Sequence, residues 1–195
     1  NALANDLIFD DPDVVTNPNV KKYSELGIFW LEEVQVPGTS TKIHIPCKAR
    51  IDRLIVDFFN KIIYIPDIKT TSKSAYTFIK SFEDYHYYRQ HAFYRRAVQV
   101  YLTTNFPGVD FSDFQVKSYN IVVETSGLFH TVVWSIPRTW VDKGKDEYKS
   151  LLGRYAWHTH FDVWDQSMEE HNNKGLLVFP DPNITLIPFE DGEEN

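Results

Sequence analysis

Cysteine occurs once in this chain of 195 residues, at Cys47. An internal disulfide is therefore excluded, and no set of Cys and His residues has zinc-finger spacing. This suits a reducing compartment, and the cytoplasm is the expected location. Long apolar runs are missing too: none approaches the roughly 18 to 20 residues that a membrane span requires, and the N-terminus lacks the basic-then-apolar pattern of a secretory signal. No membrane association is expected. Nor is there an overall positive charge. Twenty Lys and Arg stand against 27 Asp and Glu, a formal net charge of −7, which by itself weighs against phosphate binding. With 43% hydrophobic and 24% charged residues, the composition is nevertheless that of a globular chain with a packed core, of a size that one domain accommodates.

The average charge hides an asymmetry. Between Lys42 and Arg96 there are 11 Lys and Arg against 5 Asp and Glu, a local balance of 11 − 5 = +6, leaving 9 basic and 22 acidic residues elsewhere, or −13. The basic stretch also holds the residues that carry chemistry. Arg50, Arg53, Arg89, Arg95 and Arg96 are candidates for phosphate contact, although charges interspersed on a solvated surface read the same way.

Asp10-Asp11-Pro12-Asp13 and Asn17-Pro18-Asn19 mark residues 1–20 as a lead segment with a short helix at most. Strands are expected over Leu26–Val36 and Lys42–Arg50. Ile51–Phe59 and Lys61–Thr70, dense in β-branched and aromatic residues, read as a hairpin turning at Asn60-Lys61. Pro66 removes a ladder donor from its second arm. A long helix is predicted from Ser74 to about Leu102, with apolar residues recurring at three and four. Strands over Phe114–Glu124 and Phe129–Ile136 follow, then a helix over 138–162 in which Gly144 is a weak point. The domain is thus expected over 21–170, followed by an extended tail over 171–195 with an acidic end. The fold class is α/β, a mixed central sheet flanked by helices.

Asp52 lies on one arm of the hairpin and Asp67-Ile68-Lys69 on the other. Pairing around the turn puts the midpoint of 52 and 67 at 59.5, so the two aspartates face each other across the ladder. Asp67 and Lys69, two apart, share a face, and Ile68 is expected to point into the core. Two converging carboxylates and a backbone carbonyl suit a hard divalent cation such as Mg²⁺, which keeps several waters and accepts phosphate oxygens. Lys69 would orient or deprotonate a water, or stabilise charge in the transition state.

The runs Cys47-Lys48-Ala49-Arg50-Ile51-Asp52, Asp67-Ile68-Lys69-Thr70-Thr71 and Tyr88-Arg89-Gln90-His91-Ala92-Phe93-Tyr94 together resemble the active-site region of PD-(D/E)xK nucleases, in the RecB-like and RecE-like branch. Phage-type exonuclease VIII and lambda exonuclease relatives are the nearest likeness, over residues 24–165. The resemblance implies a restriction-endonuclease-like fold and Mg²⁺- or Mn²⁺-dependent hydrolysis of DNA. It makes Asp52, Asp67 and Lys69 catalytic. Asp52, Asp67 and the Ile68 carbonyl become metal ligands, and Gln90 and Tyr94 form the Q-x-x-x-Y pair that holds substrate or supports Lys69. Glu25 resembles an acidic residue that lambda-type members place ahead of the first motif. The chain departs from the pattern in having Ile51 where the motif's name has proline, and no histidine before His44.

The resemblance further implies DNA as partner, a ring-shaped homo-oligomer, a recombination partner protein, and a bacterial or phage-infected cytoplasm. Three other functions stay open. These are an endonuclease or nuclease module of a larger complex, an RNA-acting enzyme, and a non-catalytic DNA-binding or phage structural protein of the same fold. A D-x-K triplet alone is commonly an exposed salt-linked edge, and Tyr94 also fits a core aromatic. Glu25 also reads as a solvated acid at a strand start. His158 and His160, two apart on a helix, point to different faces and are read as structural or exposed. Trp134, Trp140, Trp157 and Trp164 read as core and interface rings.

Overall fold

A five-stranded sheet with the order β1-β2-β3-β4-β5 forms the centre of the computed structural model, which describes residues 19–174 together with Leu3, Ala4 and Leu7. The strands are β1 (Val20–Gln35), β2 (Lys42–Asp57), β3 (Ile62–Thr71), β4 (Gln115–Glu124) and β5 (Thr131–Ser135). All neighbouring pairs are antiparallel except β3 and β4, which run parallel. A parallel pair needs a long crossover. Here it carries a 3₁₀ turn (Ala75–Thr77), α1 (Ile79–Asp84) and α2 (Tyr87–Asn105). Helices α3 (Arg138–Phe161) and α4 (Met168–Asn172) follow β5. The expected α/β class with a mixed sheet and flanking helices is what the structure has. Among the described residues no helix is long and apolar enough to cross a membrane.

The main core lies between the sheet and the long helices. Ile45, Cys47, Ile51, Leu54 and Val56 of β2 and Ile63 and Ile65 of β3 meet Ala97, Val98 and Leu102 of α2 and Ala156 and Trp157 of α3. Across the sheet, Ala4 and Leu7 cover Ile55 and Ile121. Glu124 and Trp134 tie the crossover to the sheet's end through Ala75. Glu124 accepts from the Ala75 and His130 amides at 2.9 and 3.0 Å, and the Trp134 indole donates to the Ala75 carbonyl at 3.0 Å.

Several elements differ from those expected. The two segments Lys42–Arg50 and Ile51–Phe59 are one strand, β2, because the residues opposite in β1 continue through the junction. That strand nevertheless changes face. Ile45, Cys47 and Ile51 enter the core from odd positions, Leu54 and Val56 from even ones, and Asp52 falls at the changeover. Opposite it stands Glu25, whose φ of 52° breaks the regular pairing between Ser24↔Arg53 and Leu26↔Ile51. The long helix expected from Ser74 is interrupted: α1 ends at Asp84, and α2 starts after His86 at φ 52°. Periodicity carried through the break because Phe82 and Tyr88 pack together on either side of it. Strand β1 also starts earlier than Leu26, since its polar first residues lie along a sheet edge where charge is tolerated. The tail over Gly175–Pro188 and the acidic run lie outside the described residues.

Gly144 is not a weak point. A Cβ there would stand 2.3 Å from the Tyr88 carbonyl oxygen and 2.9 Å from the Arg89 Cα, so the missing side chain is what lets α3 press against the start of α2. Helix propensity alone predicts that Gly144→Ala stabilises the protein by about 1 kcal/mol. The packing predicts the reverse, a loss of about 1–3 kcal/mol or more, because backbone has to move. Urea unfolding of the variant decides between them by the sign of the change.

Candidate functional site

The β2–β3 hairpin has the register that brings the two aspartates together. The pairs Ile55↔Tyr64, Val56↔Ile63 and Asp57↔Ile62 sum to 119, as do 52 and 67. The ladder stops after Ile55↔Tyr64, and Pro66 accounts for the stop. Backbone N–H groups alternate in direction along a strand, so those of residues 64, 66 and 68 aim at β2, and residue 66 has none to offer. Past the gap, the Ile68 amide is taken up by a side chain: it donates to Asp52 Oδ2 at 3.0 Å. Asp52 is fixed by the very fork that makes room for it.

Asp67 continues the face of Ile63 and Ile65, which is the core face. It is 1% exposed. Ile68, expected to point into the core, is instead 42% exposed: the alternation along β3 holds, but the acid and not the isoleucine takes the inner side. Burial pushes the Asp67 carboxyl up to about 6. The Lys69 ammonium pulls the other way, and Asp52, within hydrogen-bonding range of Asp67, adds to the rise. Lys69 Nζ lies 2.6 Å from Asp67 Oδ2 and 4.7 Å from the centre of the Tyr87 ring. The ammonium is the charged partner of the buried Asp67 Oδ2, which has no further partner among the described residues.

From α2, Gln90 Nε2 donates to the Tyr94 hydroxyl at 2.7 Å and approaches Asp67 Oδ1 at 3.4 Å. One turn of helix separates the two residues, which is why they meet on one face. Burial raises the Tyr94 phenol above its ordinary range. It therefore stays protonated, and since its oxygen accepts from Gln90, its proton is left for another acceptor. Asp52, Asp67, Lys69, Gln90 and Tyr94 thus form one connected cluster around the end of β3.

Glu25 is not drawn into this cluster. Its carboxylate lies 3.1 Å from Arg50 Nε, with both side chains mostly exposed, although the register sets it opposite Asp52. Among the other basic candidates, Arg53 donates to Ser24 Oγ at 2.6 Å, Arg95 to Ser118 Oγ at 2.9 Å, and Arg96 to both oxygens of Glu32. Those three serve the fold. His158 bonds the Val163 carbonyl, and Trp157 is buried while Trp164 is exposed.

A family model, PDDEXK-like domain of unknown function (DUF3799), matches residues 27–173. The chain belongs to this family. No curated protein matches it. As a PDDEXK-like domain it has the fold of metal-dependent nucleases, and its donor set is consistent with the divalent ion such domains typically bind. Mg²⁺ is held by one or two carboxylates with several waters and substrate phosphate. Asp52, Asp67 and the Ile68 carbonyl are the oxygen donors that would hold such an ion, although among the described residues no three His, Cys, Asp or Glu side chains gather as a ligand group.

The PDDEXK-like domain also contains a pair that sequence reasoning gave no role. Asn120 pairs with Asp67 in the β3–β4 register and is fully buried, as is His91 on α2. His91 Nε2 and Asn120 Oδ1 are 2.6 Å apart, which makes Nε2 the protonated nitrogen. Nδ1 of His91 and Nδ2 of Asn120 have no partner among the described residues. The signal was an asparagine in the middle of the apolar run Tyr119-Asn120-Ile121-Val122-Val123. Burial lowers His91 to about 4, opposed by the bond to Asn120 and aided by Lys69 and Arg95.

The sign follows from linkage. An unfolded His91 takes a proton near pH 6.5 while the folded one stays neutral to about 4. Stability is thus fully present above about pH 6.5 and is lost as pH falls through that window, by on the order of 3 kcal/mol. Asp67, raised when folded, contributes an opposite slope between about 3.8 and 6. Replacing His91 with Gln removes only the first term. Denaturant titrations in EDTA from pH 7.5 to 4.5 are expected to give the variant the shallower acid loss; parallel curves would show that His91 is not buried neutral.

Proposed function

We propose that the chain is a metal-dependent deoxyribonuclease, hydrolysing DNA phosphodiesters with Mg²⁺ or Mn²⁺, and an exonuclease of the RecB/RecE-like branch acting in phage-type recombination or DNA processing. One observation carries the reading: a carboxylate buried on the core face, Asp67, with an ammonium at 2.6 Å and a second carboxylate held by the intervening amide. An exposed salt-linked edge would not be buried, and Asp67 is 1% exposed.

When bound, the ion supplies charge neutralisation at the phosphate and an acidified water. Asp52, Asp67 and the Ile68 carbonyl would hold it, and Glu25 would join only by leaving Arg50. Lys69 is positioned to orient or deprotonate the attacking water, or to stabilise the charge that develops on phosphorus. Tyr94 has a proton to give to a phosphate oxygen, and Gln90 fixes both Tyr94 and Asp67. DNA is the proposed partner. A ring-shaped homo-oligomer and a recombination partner protein extend the same family likeness.

A second reading, a DNA-binding protein that kept the fold without hydrolysis, is favoured by the lack of a three-side-chain ligand group among the described residues. End-labelled duplex DNA with Mg²⁺ or with EDTA separates the two. Degradation is expected with Mg²⁺ only. Asp67→Ala, Asp52→Asn and Lys69→Ala each are expected to slow it by about 10²–10⁴-fold, and Gln90→Ala by about 10–100-fold with a raised Mg²⁺ requirement. Equal degradation by wild type and Asp67→Ala would identify a contaminant, and none in any lane would favour the binding protein. Closed circular DNA left intact while linear DNA disappears distinguishes the exonuclease from an endonuclease.

A further inference from the structure

A groove of about 740 Å³ lies beside the site, between β2, the start of α2 and the middle of α3, within the size range of sites that hold small organic ligands. Its aromatic lining is Tyr85, Tyr87, Phe93, Tyr148 and Tyr155, with Ile45, Leu151 and Leu152 among the aliphatic residues. Tyr85 is 68% exposed and Tyr155 48%, so two rings stand open at the groove. Tyr85 lies 5.7 Å from Tyr87, and Tyr155 lies 5.8 Å from Trp164, which extends the aromatic surface beyond the groove.

The charges in the lining are of one sign. Lys48 and Arg89 line the groove together with His86, and no Asp or Glu does, in a chain whose net charge is −7. Lys48 is exposed and makes no ion pair among the described residues. Behind the lining, Glu147 is engaged by the Tyr88 hydroxyl at 2.7 Å, His86 at 3.3 Å and Arg89 at 3.7 Å. An acidic protein that keeps one aromatic groove free of acids has a surface complementary to a polyanion.

Two residues join this groove to the cluster at β3. Gln90 lines it and reaches Asp67 and Tyr94. The Tyr87 ring lines it and carries the Lys69 ammonium. The groove therefore borders the cluster through Gln90 and Tyr87.

We propose that this groove binds an unpaired strand of nucleic acid, with bases stacked on Tyr85 and Tyr155 and phosphates beside Lys48 and Arg89, and so feeds a single-stranded end to the Asp52–Asp67 site. Unpaired bases are required because the faces that would stack on tyrosine are already occupied in a duplex. The delivery step rests on the nuclease reading. The binding itself does not.

The test is fluorescence anisotropy in EDTA with a labelled oligothymidylate and a duplex of equal length. The single strand is expected to bind at least about ten-fold tighter than the duplex. Tyr85→Ala and Tyr155→Ala each weaken it about ten-fold or more, as loss of a stacked base does, while Tyr85→Phe and Tyr155→Phe retain binding because the ring is kept. Lys48→Ala lowers the slope of log K against log salt by about 0.7. Phe59→Ala, an exposed ring on the β2–β3 turn outside the groove, binds as wild type does. Thermal melts check that each variant folds. Equal affinity for both oligonucleotides, or tyrosine variants that bind like wild type, overturns the proposal. So does binding of neither oligonucleotide, which would assign the groove to the chain's own C-terminal residues or to a second copy. Cleavage with Mg²⁺ alongside tyrosine-independent binding defeats only the groove. Tyrosine-dependent binding with no cleavage under any metal defeats only the nuclease.

Discussion

The bond from the Ile68 amide to the Asp52 carboxylate closes a gap that Pro66 opens, and the site exists because of that exchange. A sheet ladder normally satisfies each backbone donor with a carbonyl from the next strand. Where a proline withholds its donor, the strands separate, and the next amide along is left to another acceptor, either water or a side chain. Asp52 supplies that acceptor from its side chain. One carboxylate thus does the work of a ladder carbonyl and is, by the same contact, aimed at Asp67.

Electrostatics then sets what the cluster can do. An aspartate on the core face of β3 is costly, since burial penalises its charge, and Lys69 and Gln90 offset that cost only in part. Its second oxygen rests against the Lys69 ammonium and has no further partner among the described residues. Groups held in this way, short of partners inside a rigid frame, are where a protein keeps capacity for a ligand. Beneath them, the His91–Asn120 pair carries no charge, so it fills polar space behind Asp67 without competing for Lys69.

Much of this was legible in the residues, and what was not has identifiable causes. The hairpin, its register and the meeting of Asp52 with Asp67 followed from β-branched runs flanking Asn60-Lys61, because a short turn leaves the pairing little freedom. The spacing of Gln90 and Tyr94 gave their common face. Ile68 was misjudged because alternation reveals which residues share a side of a strand but not which side is inward; apolar character pointed to isoleucine, whereas the sheet set the aspartate inside. The break at His86 was hidden by Phe82 and Tyr88, whose packing keeps the periodicity across it. Gly144 read as a flaw in a helix because propensity is a property of one element, and its value here lies in the approach of another. Asn120 could not be assigned without knowing that β4 would lie next to β3.

The parallel alignment of β3 with β4 has a consequence for how the molecule is made. Every side chain of the cluster has been synthesised by residue 94, yet Asp67 gains its neighbour Asn120 only when β4 arrives, after the 115 − 71 − 1 = 43 residues that separate the two strands. Until then β3 is an outer strand, and Asp67 lacks the buried Asn120 beside it. Contacts so distant along the chain form late and together, so a nascent polypeptide holding all five groups still lacks the dry setting that distinguishes them. The surroundings of Asp67 are completed by the closing of the sheet.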